Sequence, residues 1–348
     1  GFARAQAGIC RAEIKRFELE RNAAAFARAR MACLQAEQMD PSLREVSLAM
    51  GEMHRARGEF SEATKQYTRA LDDVSLRPDA YIGLSQIESA QERNDLALDY
   101  IERAHRLRPG DASIQREIGY LHYLSGNLPA AIEAYRIATT LDPDDATLWS
   151  SLGGLYYASG ENPSAAEAFQ HSLKIKPSYG ALSNLGTLRY GEGRYADAAM
   201  LFRQAAELNA DDFRVFGNIG DALAALPASA AQARESYRRA AELAGRYVEL
   251  KDDDAQAMAL LAWYRANLGD ADAARQWLAK AEALKTEEAE VALFAAQTFA
   301  LLNDVDAART RLARARSLQV PEQRIRASPV LRQLEGETAI APAPSAQG

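Results

Sequence analysis

The chain has little of what chemistry requires. Its 348 residues hold two cysteines and four histidines. His54, His105, His122 and His171 stand apart, in no HExxH and in no Cys/His pattern with metal-ligand spacing. No glycine-rich phosphate loop is present either, since Leu152-Gly153-Gly154 lies inside a helical pattern where glycine serves close packing. No nucleophile has a base beside it, so no catalytic residue, metal or cofactor is expected. No run of 18 or more apolar residues occurs, which excludes a membrane-spanning helix within the chain. A net charge of −7, from 41 basic and 48 acidic residues, argues against a phosphate-binding surface and hence against nucleic acid. The first residue is Gly1, with no charged-then-apolar leader after it, and the chain is expected to be a portion of a longer protein.

What is abundant is alanine in register. The pattern recurs about every 34 residues, most clearly from Asp145 to Pro177. With Ala146 as position 1, Trp149, Leu152, Gly153, Tyr156, Gly160, Ala165, Phe169 and Pro177 fall at positions 4, 7, 8, 11, 15, 20, 24 and 32. Position 8 is small throughout (Gly51, Ser85, Gly119, Gly153, Gly186, Gly220, Ala262, Ala296), and position 24 is mostly large and apolar (Tyr67, Tyr135, Phe169, Phe202, Tyr237). Positions 20 and 27 carry alanine almost without exception. Small residues let two helices approach, and a large one fills the space between successive helix pairs. Copies begin near Arg44, Pro78, Ala112, Ala146, Tyr179, Phe213, Ala255 and Ala289. The step after Phe213 is longer, and its second helix is expected to run on through Tyr247 and Leu250.

These residues resemble the tetratricopeptide repeat (TPR) signature, a helix–turn–helix unit that stacks with its neighbours. The resemblance implies an all-α fold: a right-handed α-solenoid of about nine TPR units closed by a C-terminal capping helix. The expected organisation is an extended first unit over 1–43, a solenoid over 44–320, a capping helix over 321–336 built on Val330, Leu331 and Leu334, and a disordered tail over 337–348. Pro321 and Ser328-Pro329 start fresh local structure in the cap.

In such a stack the first helix of each pair lines the concave face, and the resemblance implies a protein or extended peptide bound there. Position 12 supplies Tyr123, Tyr157 and Tyr190 in consecutive units, with Tyr120 beside the first. Arg116, Ser183 and Thr187 add polar groups, and Asn184, Asn218 and Asp221 follow on adjacent repeats. Tyrosine offers a rigid contact face with a hydroxyl, and asparagine can pair with both backbone groups of an extended peptide. These ten are the candidate ligand-binding residues; packing between repeats is the alternative role for the tyrosines. No repeat pairs Lys at position 5 with Asn at position 9, as the cochaperones that clamp a C-terminal carboxylate do. The segments Ser183-Asn184-Leu185-Gly186 and Gly217-Asn218-Ile219-Gly220 resemble the asparagine ladder of O-linked N-acetylglucosamine transferases, with two rungs only.

Cys10 and Cys33 fall on the two helices of the first unit, as buried thiols or as a disulfide. A disulfide would place the chain in an oxidising compartment. The stretches Ala7-Gly8-Ile9-Cys10-Arg11-Ala12, Ala32-Cys33-Leu34 and Met39-Asp40-Pro41, with the ending Gln323–Leu334, are similar to TPR regions of bacterial membrane-anchored serine/threonine kinases. That similarity implies a periplasmic sensor region attached to a kinase, with a cytoplasmic location as the alternative. A scaffold of a multiprotein or polysaccharide-export assembly, and the docking arm of an enzyme whose catalytic domain lies elsewhere, are rival expectations. The apolar C-terminal segment could cap its own stack or pair two copies as a homodimer.

Overall fold

A computed structural model describes residues 1–20, 23–284 and 287–336. The expected tail over 337–348 lies outside them. Among the described residues there are twenty helices and no strand.

Helices follow in pairs. The first unit pairs α1 (Phe2–Glu20) with α2 (Ala23–Met39), both longer than the helices of the next five repeats. Next come α3 (Arg44–Ala56) with α4 (Phe60–Ala70), α5 (Arg77–Ala90) with α6 (Asn94–Leu107), and α7 (Ala112–Leu124) with α8 (Leu128–Leu141). Then α9 (Ala146–Ser159) precedes α10 (Asn162–Ile175), α11 (Tyr179–Gly191) pairs with α12 (Tyr195–Leu208), and α13 (Phe213–Ala224) pairs with α14 (Ala230–Leu250). The last pairs are α15 (Ala255–Asn267) with α16 (Ala271–Ala283) and α17 (Ala289–Leu301) with α18 (Val305–Ser317). Every observed first helix from α3 onward starts within one residue of the start read from the sequence. The long α14 does run through Tyr247 to Leu250.

The chain divides into two compact units, Gly1–Leu155 and Tyr156–Gly348, with the division falling inside α9. Within each, the spacing rule has a direct steric cause. A Cβ added to Gly119 would lie 2.5 Å from Tyr135 Cδ2, and one added to Gly186 would lie 2.6 Å from Phe202 Cε1. Position 8 is therefore small because the aromatic plug at position 24 of the same repeat presses against its backbone. Where position 8 is Ser85, its Oγ donates to the Ala97 carbonyl at 2.8 Å, so the hydroxyl is satisfied in the same narrow gap. All nine residues at position 27, from Ala36 to Ala315, have no exposed surface.

Several helix starts carry side-chain caps. Asp111, Asp212, Asp254, Asp270 and Asp304 each accept a backbone N–H from the first turn that follows them. Between the helices of a pair the chain turns through the left-handed region at position 15. Glycine usually stands there, as at Gly126 and Gly193, but Glu92 (φ 60°) and Asn303 (φ 59°) adopt it as well.

In the first unit, the Cys10 and Cys33 sulfurs are bonded at 2.03 Å, joining α1 to α2. The bond sits in a core with Ile14, Val46, Met50 and Met53. At the other end, the capping segment expected as one helix is two. They are α19 (Glu322–Ala327) and α20 (Pro329–Leu334), broken at Ser328-Pro329 because proline restricts the residue before it to extended backbone. Ile325 and Leu331 are fully buried against Leu293, Ala296 and Leu312, so the cap covers the last apolar face as expected. It also reaches back, α19 touching α11 as well as α20.

Candidate functional site

The reach of the cap creates a partly open cavity in the second unit. Its walls are the first helices α11, α13, α15 and α17, and its lid is formed by residues of α19 and α20. The cavity measures about 560 Å³, within the range of roughly 300–1,000 Å³ usual for ligand pockets. One row of the repeat supplies its centre. Position 9 of four consecutive repeats is Thr187, Asp221, Trp263 and Gln297, and all four line the cavity. A helical residue recurs on the same face of each stacked helix, so a single repeat position projects into one space.

Asp221 is the chemical focus. Its Oδ1 accepts from the Tyr237 hydroxyl at 2.7 Å and from Trp263 Nε1 at 2.8 Å. Oδ2 has no hydrogen bond among the described residues. Burial pushes the carboxyl up to about 6, and the two donated hydrogen bonds only partly oppose that rise. The tyrosine hydroxyls nearby, Tyr190, Tyr237 and Tyr264, are held well above their ordinary range, first by burial and then by the Asp221 charge. Tyr190 stacks edge-on against Tyr195, with ring centroids 5.3 Å apart. Tyr264 packs over Gly217, where an added Cβ would lie 2.4 Å from its ring. Gln297 Oε1 is buried without a hydrogen-bond partner.

The lid brings guanidinium groups. Arg324 is held by Glu290 through both terminal nitrogens. Arg332 is 9% exposed; its Nη1 donates to the Arg326 carbonyl at 2.6 Å and its Nη2 to the Tyr195 hydroxyl at 3.3 Å. Its Nε has no partner, and no carboxylate pairs with it among the described residues.

The candidate residues read from the sequence separate into three groups. Tyr157, Thr187, Tyr190, Asn218 and Asp221 come together at the cavity. Ser183 and Asn184 belong to α11 but do not line it; Ser183 Oγ is buried without a partner, and Asn184 is exposed. Arg116, Tyr120 and Tyr123 lie in the first unit on α7, all exposed, with Tyr120 at 44% and Tyr123 at 50%. Tyr190 differs from Tyr123 at the same repeat position because the cap closes over it. Sequence reasoning missed Trp263, Gln297 and Arg332. The first two were within reach, since they share position 9 with Asp221; Arg332 belongs to no repeat, so the 34-residue register carries no signal for it.

Outside this cavity, His54 Nδ1 lies 2.6 Å from Glu59 Oε2 and His105 Nδ1 lies 3.4 Å from Gln115 Nε2. No group of three or more metal-ligating side chains exists among the described residues, and no described helix is long and apolar enough to cross a membrane.

Comparison with known proteins agrees with the architecture. A TPR repeat model matches residues 119–160, and a tetratricopeptide repeat model matches 48–112 and 183–242. The chain is similar to the human Protein O-mannosyl-transferase TMTC1, 33% identical over 111 residues, covering 30% of this chain and 12% of that protein. It is also similar to the probable UDP-N-acetylglucosamine–peptide N-acetylglucosaminyltransferase SPINDLY of Arabidopsis thaliana, 33% identical over 92 residues, covering 26% of this chain and 10% of that protein. The match thus spans about a tenth of these relatives. Among solved structures, a tetratricopeptide repeat protein from Parabacteroides merdae superposes with a TM-score of 0.54 at 16% identity, over 74% of this chain and 97% of that one. Paired helices, aromatic plugs over small residues and the matched repeat models lead to one assignment: the chain belongs to the tetratricopeptide repeat family.

Proposed function

We propose that the chain is a recognition module whose first-helix faces bind protein or peptide segments. Repeats of this family generally bind proteins or peptides and are typically non-catalytic. The observation that carries the reading is the exposure of Tyr120 and Tyr123 on α7, where interior packing does not explain them. Large half-exposed aromatic rings contribute contact area at low conformational cost. Display selection of random peptides on the intact chain tests this: a family of sequences sharing a motif and binding with micromolar affinity supports it. Failure to enrich any sequence over an unrelated helical protein would oppose it.

The finer reading is a ligand-sensing region outside the cytoplasm, joined to a membrane-anchored serine/threonine kinase. The buried Cys10–Cys33 bond supports the compartment, because structural disulfides persist under oxidising conditions such as the periplasm. The kinase rests on the similarity of the stretches around Cys10 and Cys33 and of Gln323–Leu334 to the TPR regions of such proteins. The upstream coding sequence decides it: a kinase domain followed by a membrane span is expected, and a different domain or none removes the kinase.

A further inference from the structure

We infer that the capped cavity of the second unit is a site for a small zwitterion, a ligand carrying an ammonium group and a carboxylate, of the amino-acid or short-peptide class. Two opposite charges share one cavity and do not pair. Asp221 keeps Oδ2 unused, while Arg332, nine-tenths buried, has neither a carboxylate partner nor a partner for its Nε. Both line the cavity with Tyr190, and Arg332 reaches the hydroxyl of Tyr195, whose ring packs against Tyr190. No ion pair joins them within 4.0 Å among the described residues. A guanidinium buried without a counter-ion is unfavourable, and a bound carboxylate would relieve it.

The rest of the wall sorts by the same polarity. On the floor, Asp221 Oδ2 and the unpartnered Gln297 Oε1 are acceptors, matching the multiple N–H donors of an ammonium group. Trp263 and Tyr264 also line the cavity, aromatic residues of the kind that attract a cation. On the lid, Arg326 is exposed and forms no ion pair among the described residues, so it adds a second donor near Arg332. An ammonium therefore belongs at the floor and a carboxylate at the lid, and one small molecule carries both. A purely cationic ligand would leave Arg332 uncompensated, and a purely anionic one would face Asp221.

This site does not depend on peptide binding at α7. The test is calorimetric titration of the whole chain with the twenty free L-amino acids and a panel of di- and tripeptides, each beside its N-acetylated and C-amidated form. At least one zwitterion is expected to bind, and blocking either terminus is expected to weaken it at least tenfold. Free amino acids and peptides, as separate arms, identify the source. The variant Asp221→Asn keeps an acceptor for Trp263 but removes the charge, and is expected to lower affinity at least tenfold with helicity unchanged. Arg332→Lys is expected to retain partial binding where Arg332→Gln loses it. Absence of binding across the panel, indifference to blocked termini, or wild-type affinity in a folded Asp221→Asn would each overturn the assignment. Loss of zwitterion binding in Asp221→Asn, with a display-selected peptide still bound and dependent on Tyr123, would establish the two sites separately.

Discussion

Trp263 donates its indole N–H to Asp221 at 2.8 Å, and the two residues occupy the same position of consecutive repeats. A register that the fold uses for packing has here placed a donor and an acceptor in contact across neighbouring first helices. That contact makes Asp221 a probe of the site. Its carboxyl is raised to about 6 from an ordinary 3.8, so the folded state binds its proton more tightly than the unfolded state. Stability from this group is fully present below about pH 4 and is lost as pH rises through about 6. Asp221→Asn should therefore gain on the wild type between pH 4 and pH 7, by up to about 3 kcal/mol. Urea midpoints of both proteins across that range check the sign; a constant difference would contradict it.

Gly119 and Gly154 separate close packing from helix propensity. A Cβ at Gly119 would meet the Tyr135 ring at 2.5 Å, whereas one at Gly154 meets nothing within 4 Å. Gly119→Ala should cost about 1–3 kcal/mol by overpacking. Gly154→Ala should be neutral or stabilise by up to about 1 kcal/mol, the helix preference for alanine. Denaturation midpoints of the two variants give the comparison.

Glu92 turns between α5 and α6 at φ 60°, where five other repeats use glycine. A side chain in the left-handed region costs about 1 kcal/mol, so Glu92→Gly should recover part of that. The carboxylate carries no described hydrogen bond or ion pair to lose. Thermal unfolding of the variant reads the result.

The Cys10–Cys33 bond closes a sequence separation of 23 residues. Replacing both cysteines by serine should lower stability by about 3 kcal/mol, since the unfolded loop is no longer constrained. Hydrogen exchange should show the loss confined to α1 and α2, with α13 to α18 unaffected.

Much of the fold was legible because one steric rule repeats: Gly186 is small where Phe202 needs room, and Gly119 where Tyr135 does. Repetition also gave the helix starts and the long α14. The site was only half legible. Asp221 and Tyr190 were found as members of a groove, but a residue's exposure depends on what lies over it. Val330 and Leu331 indicated that a cap exists; that it would close over Tyr190 and bring Arg332 beside it depends on the path of residues after the last repeat, which no periodicity encodes.

The proposed recognition uses the first helix of each repeat. Affinity of display-selected peptides for Tyr120→Ala and Tyr123→Ala, beside Met200→Ala and Leu208→Ala, tests it most directly. The last two residues are also large and exposed, at 53% and 54%, but stand on the second helix α12. A loss of at least tenfold is expected for the tyrosine variants and none for the α12 pair, with helicity unchanged in all four. Loss on the α12 variants with the tyrosines silent would contradict it.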